Sequence, residues 1–242
     1  NSKVTQKINS SSSTAKVNIK VLFKGSTVRT ITAADVNKDL SLTIPSPRLW
    51  SPDEPNLYDI EMVLVENGSE VDQTKGYFGM RKFSRGMVDG HPAFLLNNEP
   101  FYMYGPLDQG WWPDGLLTPP SYEAMIFDLQ TIKDFGMNMV RKHIKVEPDL
   151  WYEWCDRNGL VVWQDMPNGG TGGTLGTKAE VQQIFYDESV RIVNALKQHP
   201  SIGVWVVYNE GWGQDADNGS AHTFRGVTAV RNADRDPYRL IN

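Results

Sequence analysis

The hydrophobic pattern of this chain changes period part-way along, and that change narrows the available folds more than any other feature. Up to about Phe83, short runs alternate apolar and polar residues, as in Ala15-Lys16-Val17-Asn18-Ile19-Lys20-Val21 and Tyr58-Asp59-Ile60-Glu61-Met62-Val63-Leu64-Val65. Successive strand side chains point to opposite faces, so several such runs separated by turn residues indicate antiparallel sheets with one buried face, a sandwich. Pro45-Ser46-Pro47-Arg48-Leu49-Trp50-Ser51-Pro52 is too proline-rich for a central strand, because proline cannot donate to the ladder. It reads as an extended edge or crossing loop, and the serine run 10–13 as a polar loop.

After about Gly105 the order becomes apolar strand, loop, amphipathic helix, repeated. Tyr122, Met125, Ile126, Leu129 and Ile132 recur at helical spacing behind a Ser121 start signal, and Gly136 stops that helix. A strand over 137–141 follows. Pro148 then opens a second helix with Leu150, Trp151, Trp154 and Cys155 on one face, closed by Asn158-Gly159. A strand over 160–163 leads to a third helix carrying Val181, Ile184, Phe185, Ile192, Val193 and Leu196, which His199-Pro200 ends before a strand over 202–208. Arg239-Leu240-Ile241-Asn242 begins a fifth strand. These strands are nearly continuous apolar runs, as expected of parallel strands covered on both faces. An open doubly wound sheet and an eight-stranded barrel both use this order. No glycine-rich phosphate loop follows the first strand, and polar residues cluster just after the strand ends, which favours the barrel. About 140 residues follow Phe101, against roughly 250 in a complete barrel, so the barrel is expected to be half present.

Composition removes some function classes. A net charge of −5 without any Lys/Arg-rich run argues against a nucleic-acid partner. Cys155 stands alone, so neither an intrachain disulfide nor a cysteine-based zinc site is expected, and its place on the inward helix stripe suits packing. No run approaches the eighteen or so apolar residues of a membrane span, so no membrane partner is expected. The chain starts at Asn1 rather than Met, and a cut or processed end is the expectation. Eight tryptophans and nine tyrosines suit sugar stacking and core packing equally.

Each strand end delivers polar groups: Asp108 after the first, Arg141 and His143 after the second, Gln164 and Asp165 after the third, Asn209 and Glu210 after the fourth. In a barrel these converge on one mouth. Glycoside hydrolysis needs one carboxylic acid to protonate the leaving oxygen and a second carboxylate opposite it. Glu210 follows the apolar run 202–208, where a buried wall would raise a carboxyl pKa, and is the candidate general acid. Asn209 offers an amide to a sugar 2-hydroxyl, although strict alternation puts neighbours on opposite faces unless the strand end bulges or curls. Asp165 suits a substrate hydroxyl, and Arg141 and His143 suit either steadying the glutamates and hydroxyls or a structural ion pair. Trp111-Trp112 suit a sugar platform or a hydrophobic loop anchor, with Asp108 preferred to Asp114 beside them for binding hydroxyls. His143, Asp165 and Glu210 match no compact metal motif, so neither metal nor cofactor is expected.

Four ordered motifs then become specific. They are Leu49-Trp50-Ser51-Pro52-Asp53-Glu54-Pro55-Asn56-Leu57-Tyr58, then Gly76-Tyr77-Phe78-Gly79-Met80-Arg81-Lys82-Phe83 leading to Phe94-Leu95-Leu96-Asn97-Asn98-Glu99-Pro100, then Trp154-Cys155-Asp156-Arg157-Asn158-Gly159-Leu160-Val161-Val162, and Tyr208-Asn209-Glu210-Gly211-Trp212. Together the chain resembles glycoside hydrolase family 2, the β-galactosidases, β-glucuronidases and β-mannosidases. The resemblance implies an immunoglobulin-like β-sandwich over 1–84 and the first half of a TIM (β/α)8 barrel over 85–242. It implies a retaining hydrolase of terminal β-linked sugars, β-galactosidase-like by preference, with Glu210 as acid/base. It also implies a nucleophilic glutamate on a seventh strand beyond residue 242, so that the chain alone is expected to be inactive. Family members often carry Arg-x-Ser-His-Tyr-Pro after the second strand, where this chain has Arg141-Lys142-His143-Ile144-Lys145-Val146-Glu147-Pro148. That departure bears on sugar preference. The expected partner is a carbohydrate substrate, and the open edges of a half-barrel also favour pairing with a second copy. A non-catalytic carbohydrate-binding module would give no reason for the Asn-Glu pair, and an aldolase or enolase relative would want a strand-end lysine or three convergent carboxylates.

Overall fold

A computed structural model describes residues 2–168, 179–211 and 219–242. The chain divides into two compact units, Asn1–Trp50 with Pro55–Met80, and Ser51–Glu54 with Arg81–Asn242.

In the first unit, β1 (Ser2–Lys7) pairs antiparallel with β4 (Asp39–Ile44). The strands β2 (Lys16–Phe23), β3 (Ser26–Asp35), β5 (Tyr58–Glu66) and β6 (Ser69–Phe78) form a second antiparallel sheet in the order β3-β2-β5-β6. Alternation does what it should: Val17, Ile19 and Val21 of β2, Leu42 and Ile44 of β4, and Tyr58 and Ile60 of β5 are buried in one core. Two tight turns fix the register. Lys24-Gly25 and Asn67-Gly68 both place two successive residues at positive φ, the backbone hand that matches the strand twist and that favours glycine. The proline-rich segment lies outside the strands, its pairing limited to a bridge between Trp50 and Pro55.

From Phe83 the second unit builds an antiparallel sheet that the sequence pattern did not predict, β7 (Phe83–Val88), β8 (His91–Leu96) and β9 (Glu99–Pro100). Strand and helix then alternate through β10 (Leu107–Asp108), α1 (Tyr122–Asp134), β11 (Met139–Lys142), α2 (Asp149–Asn158), β12 (Val161–Asp165), α3 (Ala179–Leu196), β13 (Ile202–Val206), α4 (Gly219–Asp234) and β14 (Leu240–Ile241). The strands β10 to β14 lie parallel and in chain order, the winding of a partial TIM barrel. Local chemistry sets the helix ends. The Ser121 side chain accepts the Ala124 amide at the start of α1, and Gly159 closes α2 in the left-handed conformation, with φ 70°.

Val140, Val162, Trp205 and Val207 face the helices and pack on Met125, Leu129, Trp151, Tyr152, Cys155, Phe185 and Leu196. The opposite face is less covered: Met139, Arg141 and Trp163 are only half-buried, and Trp163 meets Phe94 of β8 edge-on. Burial is complete in β13, broken only at Trp163 in β12, and alternating in β11. Between β12 and β13, Val162 pairs with Ile202 but Trp163 with Val204, leaving Gly203 as an extra residue. A Cβ on Gly203 would stand 3.0 Å from the Phe83 ring. That bulge resets the alternation, so that Trp205 and Val207 turn toward the helices.

Gly159 gives a direct test of this packing. A Cβ there would approach the Pro52 carbonyl oxygen to 2.2 Å, and a side chain in the left-handed region adds roughly 1–2 kcal/mol of its own. Gly159→Ala should therefore lower unfolding stability by more than about 1 kcal/mol, read as a shifted urea midpoint. An unchanged midpoint would contradict the contact.

Candidate active site

Because β10 to β13 run parallel, their C-terminal ends meet along one edge, and there the structure joins residues from three strands. The Arg141 guanidinium donates to both carboxylate oxygens of Asp165, Nε to Oδ1 at 3.0 Å and Nη2 to Oδ2 at 2.8 Å. Nη2 also donates to Asn209 Oδ1 at 2.7 Å. The Asp165 side chain is completely buried and that of Arg141 is 27% exposed. A flat fork with several donors suits this task, because it satisfies both carboxylate oxygens and still reaches a third acceptor. Alternation aims the group: Arg141 and Asp165 lie on the face away from the helices, while their neighbours Val140, Lys142 and Gln164 are buried on the helix side.

The strand β13 ends at Val206, and Asn209–Gly211 form a single 3-10 turn in which Glu210 has φ 53° and ψ 24°. A curl at the strand end is thus present. Asn209 is buried, with its carbonyl oxygen turned to Arg141, whereas Glu210 is exposed. The buried wall expected around Glu210 is not built by the described residues, because the turn carries its side chain outward. Trp212, the last residue of that motif, lies outside the described residues. Left-handed backbone at non-glycine residues costs about 1–3 kcal/mol and gathers at functional sites. The β-branched Ile144, with φ 43°, is a second case at this edge, and its amide donates to Asp165 Oδ2 at 3.4 Å.

Asp108 is not part of this group. It is the register partner of Lys142, whose side chain points to the helix side over the Trp151 ring, 4.9 Å from its centroid. Asp108 Oδ2 follows it there and lies 2.5 Å from Lys142 Nζ. Glu147 and Lys145 complete this second cluster, in the segment 141–148 that departs from the family pattern, where the sequence proposed no role for Lys142, Lys145 or Glu147 singly. The half-buried His143 brings Nδ1 to 3.5 Å from Gln109 Nε2 and does not join the Arg141 group through any hydrogen bond described. Trp111 is 63% exposed. Trp112 is half-buried, exchanging backbone hydrogen bonds with Leu116, and Asp114 is exposed in the same loop. A cavity of 510 Å³ on the inner face of the sheet is lined by Phe94, Trp163, Val204 and Tyr238 and by none of the candidate residues. It is a hollow of the open sheet face rather than the place where the polar groups converge.

Comparison with known proteins decides the family. The description "Glycosyl hydrolases family 2" matches residues 1–81, and "Glycosyl hydrolases family 2, TIM barrel domain" matches residues 91–242. The chain belongs to glycosyl hydrolase family 2. A beta-galactosidase of Psychromonas ingrahamii is 30% identical to this family 2 chain over 70% of its length, and a beta-glucuronidase of Bacteroides fragilis 26% identical over 73%. The chain spans only 16% and 26% of those two curated relatives. A solved β-glucuronidase from Ruminococcus gnavus, in complex with an N1-substituted uronic isofagomine, superposes with a TM-score of 0.83 at 19% identity, over 98% of this chain and 40% of that one. At that identity the likeness establishes the shared fold, sandwich and partial barrel. Among the described residues of the family 2 chain, no helix is long and apolar enough to cross a membrane, and no group of three or more His, Cys, Asp or Glu is placed to hold a metal ion.

Proposed function

We propose that this chain carries the acid/base side of the active site of a retaining β-glycosidase, with Glu210 as general acid/base. The observation behind this reading is the Arg141–Asp165–Asn209 group at the strand ends, immediately before Glu210, in a family 2 barrel. Arg141 holds the carbonyl oxygen of Asn209, so the amide NH2 is turned away from it and is available to donate to a sugar 2-hydroxyl. Asp165 balances the Arg141 charge and keeps the guanidinium in plane. Glu210 stands one residue beyond, where it protonates the departing oxygen and then takes a proton from the attacking water. His143, which follows β11, and Trp111 and Trp112, which follow β10, complete the proposed sugar contacts, and Asp108 acts through its ion pair with Lys142 rather than as a direct sugar ligand.

The relatives named above act, by their names, on β-linked galactose and glucuronic acid, so the substrate proposed is a carbohydrate with a terminal β-linked sugar. A β-galactoside is the first to test. A retaining mechanism also needs a second carboxyl about 5–5.5 Å from the first. By family resemblance this comes from a seventh strand, and the described residues form five parallel barrel strands. The full-length protein is therefore expected to cleave at least one of an aryl β-galactoside, β-glucuronide or β-mannoside, and residues 1–242 alone to cleave none. The edge strands β10 and β14 would leave the isolated chain prone to pair with a second copy. Turnover by the isolated chain that disappears with Glu210→Gln would show a second carboxylate within it. Failure of the full-length protein to bind or cleave any of the three would overturn the reading.

A further inference from the structure

Lys142 is 1% exposed and Glu147 3%, and they form an ion pair of 2.7 Å between Nζ and Oε1. Lys145 Nζ contacts the same Glu147 oxygen at 2.8 Å, and Asp108 completes a cluster of two cations and two anions. Buried ion pairs seldom add net stability, because desolvation offsets the attraction, and fixing one arrangement is their best-attested use. Here the arrangement they fix is a loop. Lys145 Nζ donates to the Gly110 carbonyl at 2.9 Å, and the Gly110 amide donates to Asp108 Oδ1 at 2.7 Å. Gly110 has φ 67°, and a Cβ on it would lie 2.7 Å from both Glu147 Oε1 and Lys145 Nζ, so the cluster grips this residue with no space left. The other side of the cluster is anchored to the barrel. The Glu147 amide donates to Tyr152 Oη, Tyr152 donates to Gln164 Oε1 at 2.6 Å, and Gln164 Nε2 donates to the Lys145 carbonyl at 2.7 Å. Gln164 is the neighbour of Asp165. A continuous set of bonds therefore joins the strand end that carries Asp165 to the residue preceding Trp111.

We propose that Lys142 and Lys145, acting through Asp108 and Glu147, are positioning residues that hold the Gly110–Trp112 loop so that Trp111 stands at the strand-end edge as a stacking face for a sugar ring. The segment that departs from the family pattern, Lys142 to Glu147, is on this reading the device that sets the loop. The inference rests on the proposed glycosidase function. Its test is a double-mutant cycle in the full-length protein with an aryl β-glycoside. Trp111→Ala and Lys145→Met should each raise KM on the order of tenfold, the scale of one lost stacking contact, with kcat within about twofold. Lys145→Met leaves Glu147 paired with Lys142, and Gly110→Ala, which displaces the loop from the cluster while removing no charge, should raise KM similarly. The double variant Lys145→Met/Trp111→Ala should be no worse than either single one, because both act through the same contact. An additive loss of about a hundredfold, a fall in kcat with KM unchanged, or an unaltered KM in Gly110→Ala would overturn the proposal. Hydrogen exchange at the Gly110 and Trp111 amides, faster in Lys145→Met than in the unaltered protein, checks the loop without activity, and unchanged exchange would also overturn it. Absence of any turnover in the unaltered protein would instead sink the functional reading and leave the exchange result to decide the loop's anchoring.

Discussion

Glu210→Gln in the full-length enzyme is expected to lower kcat/KM for a β-glycoside with a basic alcohol leaving group by roughly 10²–10⁴-fold, while sparing kcat/KM for one with an activated aryl leaving group, whose turnover is then limited by hydrolysis of the glycosyl-enzyme. The two substrates differ in how much their departing oxygen needs a proton. An alkoxide is a poor leaving group unless protonated as the bond breaks, whereas an activated phenolate departs unaided, so only the first step of the alcohol glycoside depends on the acid. Glutamine keeps the shape of the side chain and removes only the proton, and Glu210 is exposed on a one-turn curl, so little folding cost should accompany the change. Comparison of kcat/KM on the two substrates reads the difference. An equal loss on both would assign Glu210 another role.

Arg141→Met is expected to act on stability as well as catalysis. It strands the fully buried Asp165 carboxylate, and removing one partner of a buried pair costs about 3–5 kcal/mol. It also frees the Asn209 amide, whose orientation toward the sugar depends on the bond to Nη2. The two effects separate in the double variant Arg141→Met/Asp165→Asn. There the stranded charge is gone, so urea unfolding should recover most of the lost stability, while activity should stay low because nothing holds Asn209. A single variant within about 1 kcal/mol of the unaltered protein would mean that Asp165 does not depend on Arg141.

Much of the fold was legible because each element type has its own period. The alternation in β2 and β5 marked the sandwich, and the stripe Met125, Ile126, Leu129, Ile132 marked α1 and hence the barrel winding. Boundaries were less legible. Strand β11 begins at Met139 rather than at 137, and Asn138 before it ties the chain to the segment leading into β10, its side chain donating to the Tyr102 carbonyl and accepting the Tyr104 amide. The β7–β9 sheet was missed, although Asp89-Gly90 is the kind of dipeptide that makes a hairpin. The helix α4 was not drawn, because its stripe of Val227, Val230 and Ala233 is thin and Phe224 is exposed.

The strand-end rule picked out Arg141, Asp165 and Asn209, which the structure brings together, because a parallel sheet delivers consecutive strand ends to one edge. It also grouped Asp108 with them, and that failed for a reason period two contains: Asp108 is aligned with Lys142, not Arg141, and so turns to the other face. Lys142, Lys145 and Glu147 stood out only as part of the segment 141–148 that departs from the family pattern, because sequence spacing does not show which of its charges meet. Only the packing of Trp151 and Tyr152 over them shows the cluster to be buried.

The most direct test of Glu210 as acid/base is the product formed by full-length Glu210→Ala from an activated aryl β-glycoside in the presence of azide. Azide needs no base to attack, so it can replace water at the glycosyl-enzyme intermediate once the acid/base is gone. Two displacements then leave the sugar in its starting configuration, and the expected result is restored turnover yielding a β-glycosyl azide. An α-glycosyl azide, formed by a single displacement, would show that Glu210 is the nucleophile and contradict the assignment.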